Sequence, residues 1–493
     1  METTFTAIAP GRLCLFGEHQ DYLGLPVIAL ALPLLCCKID VVVTVTDDDN
    51  NTRDSADDTI IIHLHLPEVL GGETREYYLD DLPPSPPRTQ EEGEDYDFAL
   101  AAIHEVLKEE ELKGLNGIDK ISVRGEEKRK QKVYVRCKSF IGDLPLRAGC
   151  SSSTAFVTAF VLVLQRIFKD QRNRQLRTST TPSINSNGDK NDNGCDGNSA
   201  GDRDGDGDGD GDSDSDLLEL AKLAYRAEVT HFGNPGGTMD HVAIALGSRI
   251  QGKKTSQNSC GALRIGPHPW QVEPLPLLLS SDSDNSKADS DNGVWILAYS
   301  GEPKDTMKHL KRCKHDRLEL LQQKLNGDWD HPISVGDHDC NDNDGSKSQE
   351  RPISTSTLSE TEYVLRNATI TNRDSEEKAA EIWRSYKGLA HQPSTKGESL
   401  GRTLAYLMKE HHEALRDGLG LSTPRLEAMN QAALDAGAWG FKVVGSGGGG
   451  CGVAWAPFCK ATAVATAVKN VGGAEKTWII KNSGQGAHII SKR

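Results

Sequence analysis

The stretch LPLRAGCSSSTAFVTAFVLVL, residues 144–164, constrains the fold of this chain more than any other segment. A short loop of Gly and Ser opens a long apolar run, which predicts a buried helix. Helix N-termini present unpaired backbone N–H groups and a positive dipole end, which suit a phosphate group. Serine is also a common helix cap. Phosphate binding and simple capping therefore both stay open on these residues, and the loop lacks the Gly-Lys pair of a Walker A motif.

A second constellation is AEVTHFGNPGGTMDH, residues 227–241. Glu228 lies in a predicted helix that ends at Gly233, and Asp240 follows a Gly-Gly turn. A carboxylate fixed after such a turn suits a positioned base or a metal ligand. The alternative is an Asp that caps the next helix, HVAIALG.

A third motif, KVVGSGGGGCGVAW at residues 442–455, has five glycines among the six residues 445–450. It predicts a strand, a glycine loop and a second strand. So many glycines cost conformational entropy, so either a ligand or another backbone approaches this loop closely, or the loop is a flexible hairpin.

The first motif along the chain is PGRLCLFGEHQDYLGLP, residues 10–26. It sets four polar side chains in an otherwise apolar, strand-like segment: Arg12, Glu18, His19 and Asp21. Their placement beside predicted core indicates a functional site. No His or Cys partner stands at metal spacing from His19, which argues against zinc.

Composition narrows the class of protein. The 493 residues favour two or three domains, and the net charge of −16 argues against a nucleic-acid or acidic-membrane surface. Eleven cysteines at irregular spacing fit a reducing compartment. The N-terminus lacks a signal-peptide pattern, and the apolar run 27–37 is too short to span a bilayer. We expect a cytoplasmic protein with no nucleic-acid or membrane partner.

Several polar segments are predicted to be exposed, mostly disordered inserts, because their composition cannot bury enough apolar surface to offset the entropy of ordering. The acidic run GDRDGDGDGDGDSDSD within the longest insert offers carboxylates but lacks the closing Glu of a Ca²⁺ loop. The predicted inserts are residues 47–59, 83–95, 170–216, 281–293 and 336–350.

Strand and helix patterns alternate between these inserts without a regular βαβ repeat, which predicts an α+β fold. Residues 27–46 resemble paired strands, and residues 217–232 an amphipathic helix that Asp216 could cap. Two further helices are expected at residues 402–417 and 423–437, the second opened by Thr423 and Pro424.

The order of the motifs resembles that of the GHMP kinases over essentially the whole chain apart from the inserts. This resemblance implies ATP-dependent phosphorylation of a small molecule, with Mg²⁺. It also implies two domains: a ribosomal-S5-like N-terminal domain at residues 1–280, with an insert at about 170–216, and a ferredoxin-like C-terminal domain at residues 293–493, with an insert at about 336–350.

Within that superfamily the opening motif is most similar to the galactokinase signature, which implies phosphorylation at the anomeric hydroxyl of a sugar by a monomeric enzyme. Asp240 and Arg12 are then the catalytic residues, and Ser153 (or Ser152) and Glu228 hold the metal. The implied sugar-binding residues are Glu18, His19, Asp21, Tyr22 and Gly237. The implied ATP-binding residues are Ala148, Gly149, Cys150, Ser151, Ser152, Ser153, Gly447 and Gly448.

The chain departs from that pattern at several positions. Cys14 replaces a usual Asn, Arg147 a usual Gly, Cys150 a usual Leu and His241 a usual Gln. Other substrates within the superfamily therefore stay open, namely arabinose, glucuronate and mevalonate. A non-catalytic galactokinase-like sugar sensor stays open as well, because such proteins depart from the pattern in the phosphate loop.

Overall fold

The computed structural model describes residues 2–47, 59–67, 74–79, 81–84, 95–112, 131–140, 144–179, 213–234, 236–247, 260–268, 270–276, 293–302, 309, 311–335, 356–385, 400–481 and 483–491. Helices and mainly antiparallel strands are mixed in these ranges, so the α+β prediction is confirmed. Four predicted inserts, at 47–59, 83–95, 281–293 and 336–350, lie almost wholly outside the described residues.

The first sheet contains eight strands among the described residues, in the order β14-β1-β2-β5-β3-β4, with β6 paired to β2 and β7 to β6. Its pairs are antiparallel except β3 with β5. The strands are β1 (Glu2–Phe16), β2 (Val27–Asp47), β3 (Thr59–His65), β4 (Thr74–Tyr78), β5 (Gln131–Phe140), β6 (Cys260–Ile265), β7 (Val272–Pro276) and β14 (His488–Ser491).

The expectation of paired strands at residues 27–46 was wrong, because β2 is one strand of 21 residues. Its two ends pair with different parts of β1, and the register shifts between Pro10 and Arg12 of β1. Pro33 lies between the two paired stretches, where its missing N–H leaves no gap in the ladder. The shift allows one strand to continue where the sequence suggests a turn.

Four helices pack on or beside this sheet: α1 (Asp95–Leu112), α2 (Ser152–Ser179), α3 (Asp214–Tyr225) and α4 (Met239–Leu246). A π-helical turn, Arg226–Thr230, extends α3. Residues 152–174 of α2 are long and apolar enough to cross a membrane by length and composition. However, 72% of an apolar 18-residue stretch within them is buried in the fold. The helix is therefore the core helix that the sequence predicts.

The insert predicted at 170–216 is shorter than expected at both ends. Helix α2 continues to Ser179, and α3 begins at Asp214 with Ser213 as its N-cap. Asp216 is the N3 residue of a capping box instead of the cap itself, since its carboxylate accepts the Ser213 N–H while Ser213 Oγ accepts the Asp216 N–H. The arginines after the apolar run are good helix formers, second only to Ala, so a polar composition there does not exclude a helix.

The second sheet has four antiparallel strands among the described residues, in the order β11-β12-β8-β13. They are β8 (Gly293–Tyr299), β11 (Gly440–Val444), β12 (Cys451–Pro457) and β13 (Lys476–Ile480). Helices α8 (Pro424–Asp435) and α9 (Ala461–Asn470) cover one face. Thr423 caps α8 with Pro424 at its first turn, and the strand, glycine loop and strand at 440–457 are present, so both predictions are confirmed.

The remaining elements form a third cluster between the sheets. They are a π-helical turn (Lys311–Asp316), α5 (Arg317–Gln323), α6 (Glu360–Ser385), α7 (Leu400–Glu413), a second π-helical turn (Ala414–Gly418) and the parallel pair β9 (Ile333–Val335) and β10 (Ser356–Leu358). Leu23 and Leu25, just after β1, pack against the apolar core of this cluster. The segment that follows β1 is therefore held by helices from much later in the chain.

The last strand, β14, returns to the first sheet and pairs with β1. The C-terminal half of the chain thus contributes a strand to the N-terminal sheet. The division at residues 280 and 293 stays a prediction.

Candidate active site

The centre of the site is a fork between one guanidinium and one carboxylate. Arg12 lies in β1, and Asp240 lies in the first turn of α4. Arg12 Nε donates to Asp240 Oδ1 (2.6 Å) and Nη2 to Oδ2 (3.0 Å), while Nη1 donates to the carbonyl of Gly149. A bidentate, charge-assisted pair of this kind fixes both position and orientation. Arg12 therefore ties α4 to the loop that precedes α2.

Asp240 does not cap α4. The N-cap residue is Thr238, and the Asp240 carboxylate turns instead to Arg12 and to Ser151, whose hydroxyl donates to Oδ2. Burial raises the pKa of Asp240, but Arg12 and the Ser151 hydroxyl outweigh it and hold that pKa below its usual value. The described residues give the carboxylate three hydrogen bonds. Since a carboxylate offers about four acceptor positions, one remains for a hydroxyl of a ligand.

The loop before α2 and the glycine loop between β11 and β12 touch backbone to backbone. A Cβ on Gly149 would lie 2.7 Å from the Val444 carbonyl oxygen, and one on Gly450 would lie 2.6 Å from that of Ala148. Both glycines also have positive φ. The glycine content indicates that a ligand or another backbone approaches the glycine loop closely, or that the loop is a flexible hairpin. The close approach of another backbone is observed.

Gly447 and Gly448, expected to bind ATP, face protein neighbours on their Cβ side. A Cβ on Gly447 would meet Leu421, and one on Gly448 would meet the His309 ring. The Gly448 N–H also donates to the Leu421 carbonyl (2.8 Å). The ATP-binding role of these two glycines stays a prediction, and their small size is already required by packing.

The turn after β1 brings a second carboxylate to the site. The Met239 N–H donates to Asp21 Oδ2 (3.1 Å), and a Cβ on Gly237 would collide with the Asp21 carboxylate, so only glycine fits there. Burial and the neighbouring Asp240 raise the pKa of Asp21, although the Met239 N–H acts against them. His19 Nδ1 lies 2.9 Å from the Tyr22 hydroxyl in the same turn. Asp21, Gly237 and Asp240, three of the predicted site residues, thus lie together.

Glu18 points away from this cluster. Its Oε1 accepts from Lys442 Nζ of β11, and Lys442 Nζ also donates to the Cys14 carbonyl (3.2 Å). The side chains of Glu18 and Lys442 are 1% and 0% exposed. Burial raises the pKa of Glu18 against the opposing effect of Lys442. The Glu18 carboxylate is thus already occupied by Lys442, and its contact with a sugar stays a prediction.

Several partners of the first motif were missed in the sequence, including His411 of α7, whose Nε2 lies 3.4 Å from Glu18 Oε2. Lys442 joins Glu18, Asn372 Nδ2 of α6 donates to the Glu18 carbonyl (2.8 Å), and Arg317 Nη2 of α5 donates to the His19 carbonyl. The one available signal was a lysine in the centre of the apolar strand GFKVV. Asn372 and Arg317 lie in ordinary helical sequence, which marks neither of them.

Glu228 and the serines at the start of α2 are the predicted metal ligands. Glu228 lies in the π-helical turn, and its Oε2 is 3.0 Å from His241 Nε2. No group of three His, Cys, Asp or Glu side chains in the described ranges could hold a metal by itself. Carboxylate and hydroxyl oxygens are nevertheless the donors that Mg²⁺ prefers, usually together with substrate phosphates and water. The residue types fit Mg²⁺ bound together with a nucleotide, and the assignment stays a prediction.

Two segments of the chain match models of known families, and solved structures share its fold. Residues 397–474 match the family model "GHMP kinases C terminal", and residues 1–37 match the "Galactokinase galactose-binding signature". Lactococcus lactis galactokinase complexed with galactose superposes with a TM-score of 0.55 at 16% identity, covering 98% of this chain and 95% of that one. The Lin0012 protein of Listeria innocua gives 0.52 at 14% identity, covering 99% of both chains.

The fold is therefore that of the GHMP kinases, and the chain carries their C-terminal domain. Its first strand and turn carry the galactokinase galactose-binding signature, which includes Arg12, Glu18, His19 and Asp21.

Curated relatives match over shorter segments. The mevalonate kinase of Thermococcus sibiricus is 47% identical over 72 residues, which is 15% of this chain and 21% of that protein. The mevalonate kinase of Pyrococcus abyssi is 50% identical over 70 residues, 14% of this chain and 20% of that protein. The chain thus covers only about a fifth of the length of these two relatives.

Proposed function

We propose that this chain is a galactokinase, which transfers the γ-phosphoryl group of ATP to the anomeric hydroxyl of galactose. The observation that carries the proposal is the Arg12–Asp240 fork with Asp21 beside it. The galactose-binding signature over residues 1–37 supports the choice of a sugar, and the fold shared with a galactokinase is consistent with it.

In the proposed reaction Asp240 holds the sugar hydroxyl through its remaining acceptor position. A carboxylate whose pKa is lowered stays ionised at neutral pH but is a weak base. Its main contribution is therefore to orient the hydroxyl toward the phosphorus and to receive the proton as the new bond forms. Phosphoryl transfer depends mostly on positioning and on stabilising charge, so this division of labour suits the reaction.

Arg12 supplies the positive charge in this scheme. Its guanidinium is buried and held at three points, by both Asp240 oxygens and by the Gly149 carbonyl. A preorganised cation in a shielded site stabilises developing negative charge without reorganising. Arg12 would thus keep Asp240 ionised and lie beside the group that is transferred.

The phosphates of ATP would lie against the N-terminus of α2. The backbone N–H groups of residues 148–153 are the donors, and the helix dipole adds favourable potential. Ser153 or Ser152, with Glu228, would hold Mg²⁺, which neutralises phosphate charge when it is bound. The His19, Asp21 and Tyr22 side chains with Gly237 would recognise sugar hydroxyls, whereas Glu18, 1% exposed and paired with Lys442, would hold the turn in place. We expect a monomeric, cytoplasmic enzyme with no nucleic-acid or membrane partner.

Mevalonate kinase activity is the second candidate, because the curated relatives with matched segments are mevalonate kinases. Mevalonate offers one carboxylate and few hydroxyls, so it would leave the polar groups of the first turn unpaired. A site built to bind particular hydroxyls rejects such a ligand by up to about 10⁴–10⁵-fold. This argument favours the sugar.

The experiment supplies galactose, glucose, arabinose, glucuronate and mevalonate separately, each with ATP and Mg²⁺, and identifies the product by phosphorus NMR. We expect a sugar 1-phosphate from galactose and a far weaker signal from glucose, which differs at one hydroxyl. A product from mevalonate alone would overturn the sugar assignment and keep a GHMP kinase. No product from any of the five would favour a sugar sensor.

A further inference from the structure

Two cysteines meet where the phosphate loop crosses the glycine loop. Cys150 immediately precedes Ser151, and Cys451 is the first residue of β12. Their Sγ atoms are 3.7 Å apart, both side chains are fully buried, and the two residues are 301 positions apart in the chain. Cys150 also stands where the resemblance predicts Leu. The pair is therefore a specific feature of this chain's crossing.

The backbone segments that carry the two cysteines are in contact. The Ala148 and Gly450 backbones are in contact, and the Arg12 N–H donates to the Cys150 carbonyl (3.1 Å). A disulfide needs an S–S distance of about 2.0 Å and Cβ atoms roughly 3.5–4.5 Å apart. The two sulfurs are 3.7 Å apart, so forming the bond requires them to approach by about 1.7 Å.

We propose that Cys150 and Cys451 form a reversible disulfide that cross-links the phosphate loop to the glycine loop and switches the site off. The oxidant is a hydroperoxide, of which hydrogen peroxide is the smallest. One of the two sulfurs, as its thiolate, attacks one peroxide oxygen and becomes a sulfenic acid as hydroxide leaves. The other sulfur then attacks that sulfenic sulfur and displaces a second hydroxide. With the two thiol protons, the products are one disulfide and two waters.

The cross-link would act on the candidate active site through short connections. Ser151 follows Cys150 directly and donates to Asp240, and the Cys150 carbonyl accepts from Arg12. A shift of about 1 Å in a positioned group can cost on the order of 10²-fold in rate. The disulfide would also fix two loops that belong to opposite halves of the chain, which opposes any opening needed to exchange nucleotide.

The test treats the reduced protein with hydrogen peroxide, blocks remaining thiols by alkylation, and maps peptides by mass spectrometry. We expect a peptide pair joined through Cys150 and Cys451 that lacks two hydrogens, and a fall in turnover of about 10²-fold that dithiothreitol reverses. Peroxide that oxidises exposed Cys459 without producing this linked pair would overturn the proposal.

Variants separate the cross-link from other oxidation. Each variant is compared with its own untreated form, so any effect on basal activity cancels. Cys451→Ala should lose the dithiothreitol-reversible inhibition, whereas Cys137→Ala, which removes another buried cysteine, should keep it. Equal reversible inhibition in Cys451→Ala and the unmodified chain would refute the assignment. The mass measurement requires no assumption about the substrate, so it stands even if galactose proves to be the wrong sugar.

Discussion

Two buried ion pairs start from the same strand, six residues apart. Arg12 near the middle of β1 pairs with Asp240, and Glu18 just beyond its end pairs with Lys442. The Asp240 side chain keeps 27% of its surface exposed, whereas Glu18 and Lys442 keep 1% and 0%. One pair can be reached by a ligand, and the other is sealed between the first sheet and the second.

The pKa values of the two carboxylates are shifted in opposite directions, because their charged and hydrogen-bonding partners offset burial to different extents. Asp240 has a bidentate guanidinium and a serine hydroxyl, which outweigh burial and lower its pKa. Glu18 has one ammonium group in a sealed position, so burial outweighs Lys442 and raises its pKa. The partners of Asp240 thus keep its carboxylate charged, while the Glu18 pair joins two parts of the fold at a cost in desolvation.

The largest expected effect is on turnover at the Arg12–Asp240 pair. Asp240→Asn keeps the shape of the side chain but removes the charge that Arg12 and the sugar hydroxyl require. We expect kcat to fall by a factor on the order of 10² or more, with ATP and sugar binding nearly intact. Steady-state kinetics measures the first quantity and titration calorimetry the second.

The matched control is Asp435→Asn, which removes a carboxylate from the exposed end of α8, far along the chain from the fork. It should leave kcat unchanged. Near-normal turnover in Asp240→Asn would remove Asp240 from the proposed reaction, whatever the control shows.

The sealed pair should instead affect stability. Lys442→Met leaves the Glu18 carboxylate buried without its cation. Breaking a buried pair on one side costs about 3–5 kcal/mol in the free energy of unfolding. The double variant Glu18→Gln with Lys442→Met removes both charges and should recover most of that loss. Urea unfolding of the two single variants and the double variant measures the coupling.

An exposed ion pair provides the comparison for this cycle. Arg384 and Glu273 form a fork in which both side chains are 41% exposed. Arg384→Met should change the free energy of unfolding by no more than about 1 kcal/mol. If Lys442→Met cost as little as Arg384→Met, the pair would not be the buried link between the sheets that its geometry indicates.

The pH dependence of stability should have opposite signs for the two carboxylates. Because the pKa of Glu18 is raised in the folded state, the folded protein holds that proton above pH 4.5, the ordinary value, and stability falls as the pH rises through the folded pKa. The pKa of Asp240 is lowered, so its contribution is present above pH 3.8, its ordinary value, and is lost as the pH falls through the folded pKa.

Denaturant midpoints measured across this acid-to-neutral range would separate these contributions. The advantage of the unmodified chain over Glu18→Gln should shrink as the pH rises above 4.5. Its advantage over Asp240→Asn should shrink as the pH falls below 3.8. If both stability advantages changed with pH in the same direction, the contrast between the two pairs would be wrong.

The sequence predicted the Arg12–Asp240 pair better than the Glu18–Lys442 pair. Arg12 and Asp240 both belong to recognisable motifs, and their residue types already suggested a cation and a fixed carboxylate. Glu18 belongs to a motif as well, but its partner is a lysine in a strand 424 positions away. Whether a carboxylate in a motif faces a ligand or another part of the fold depends on packing between distant segments, which local patterns do not contain.

The same contrast between local patterns and long-range packing applies to the elements of the fold. Helix α2, the cap of α8 and the hairpin of β11 and β12 were predicted because local periodicity and turn residues specify them. The single course of β2 was missed because it depends on a register shift against β1. The contacts of Arg317 and Asn372 with the first turn were missed for a similar reason, since they arise when helices from the third cluster pack on that turn.

The smallest expected effect concerns the acidic insert, which serves as a baseline because neither ion pair lies in it. Residues 181–211 are replaced by a flexible Gly/Ser linker of about twelve residues, which reaches roughly 20 Å. The cost of closing a loop changes only logarithmically with its length, so the free energy of unfolding should change by less than about 1 kcal/mol and kcat/KM should stay within about twofold.

A longer replacement, of residues 178–214, also removes Ser213 and its capping box and should cost a further 0.5–2 kcal/mol, roughly. Urea unfolding of the two replacements isolates the cap. A large loss of kcat/KM in the shorter replacement, or micromolar Ca²⁺ binding that disappears with it, would instead make the insert a functional part of the protein.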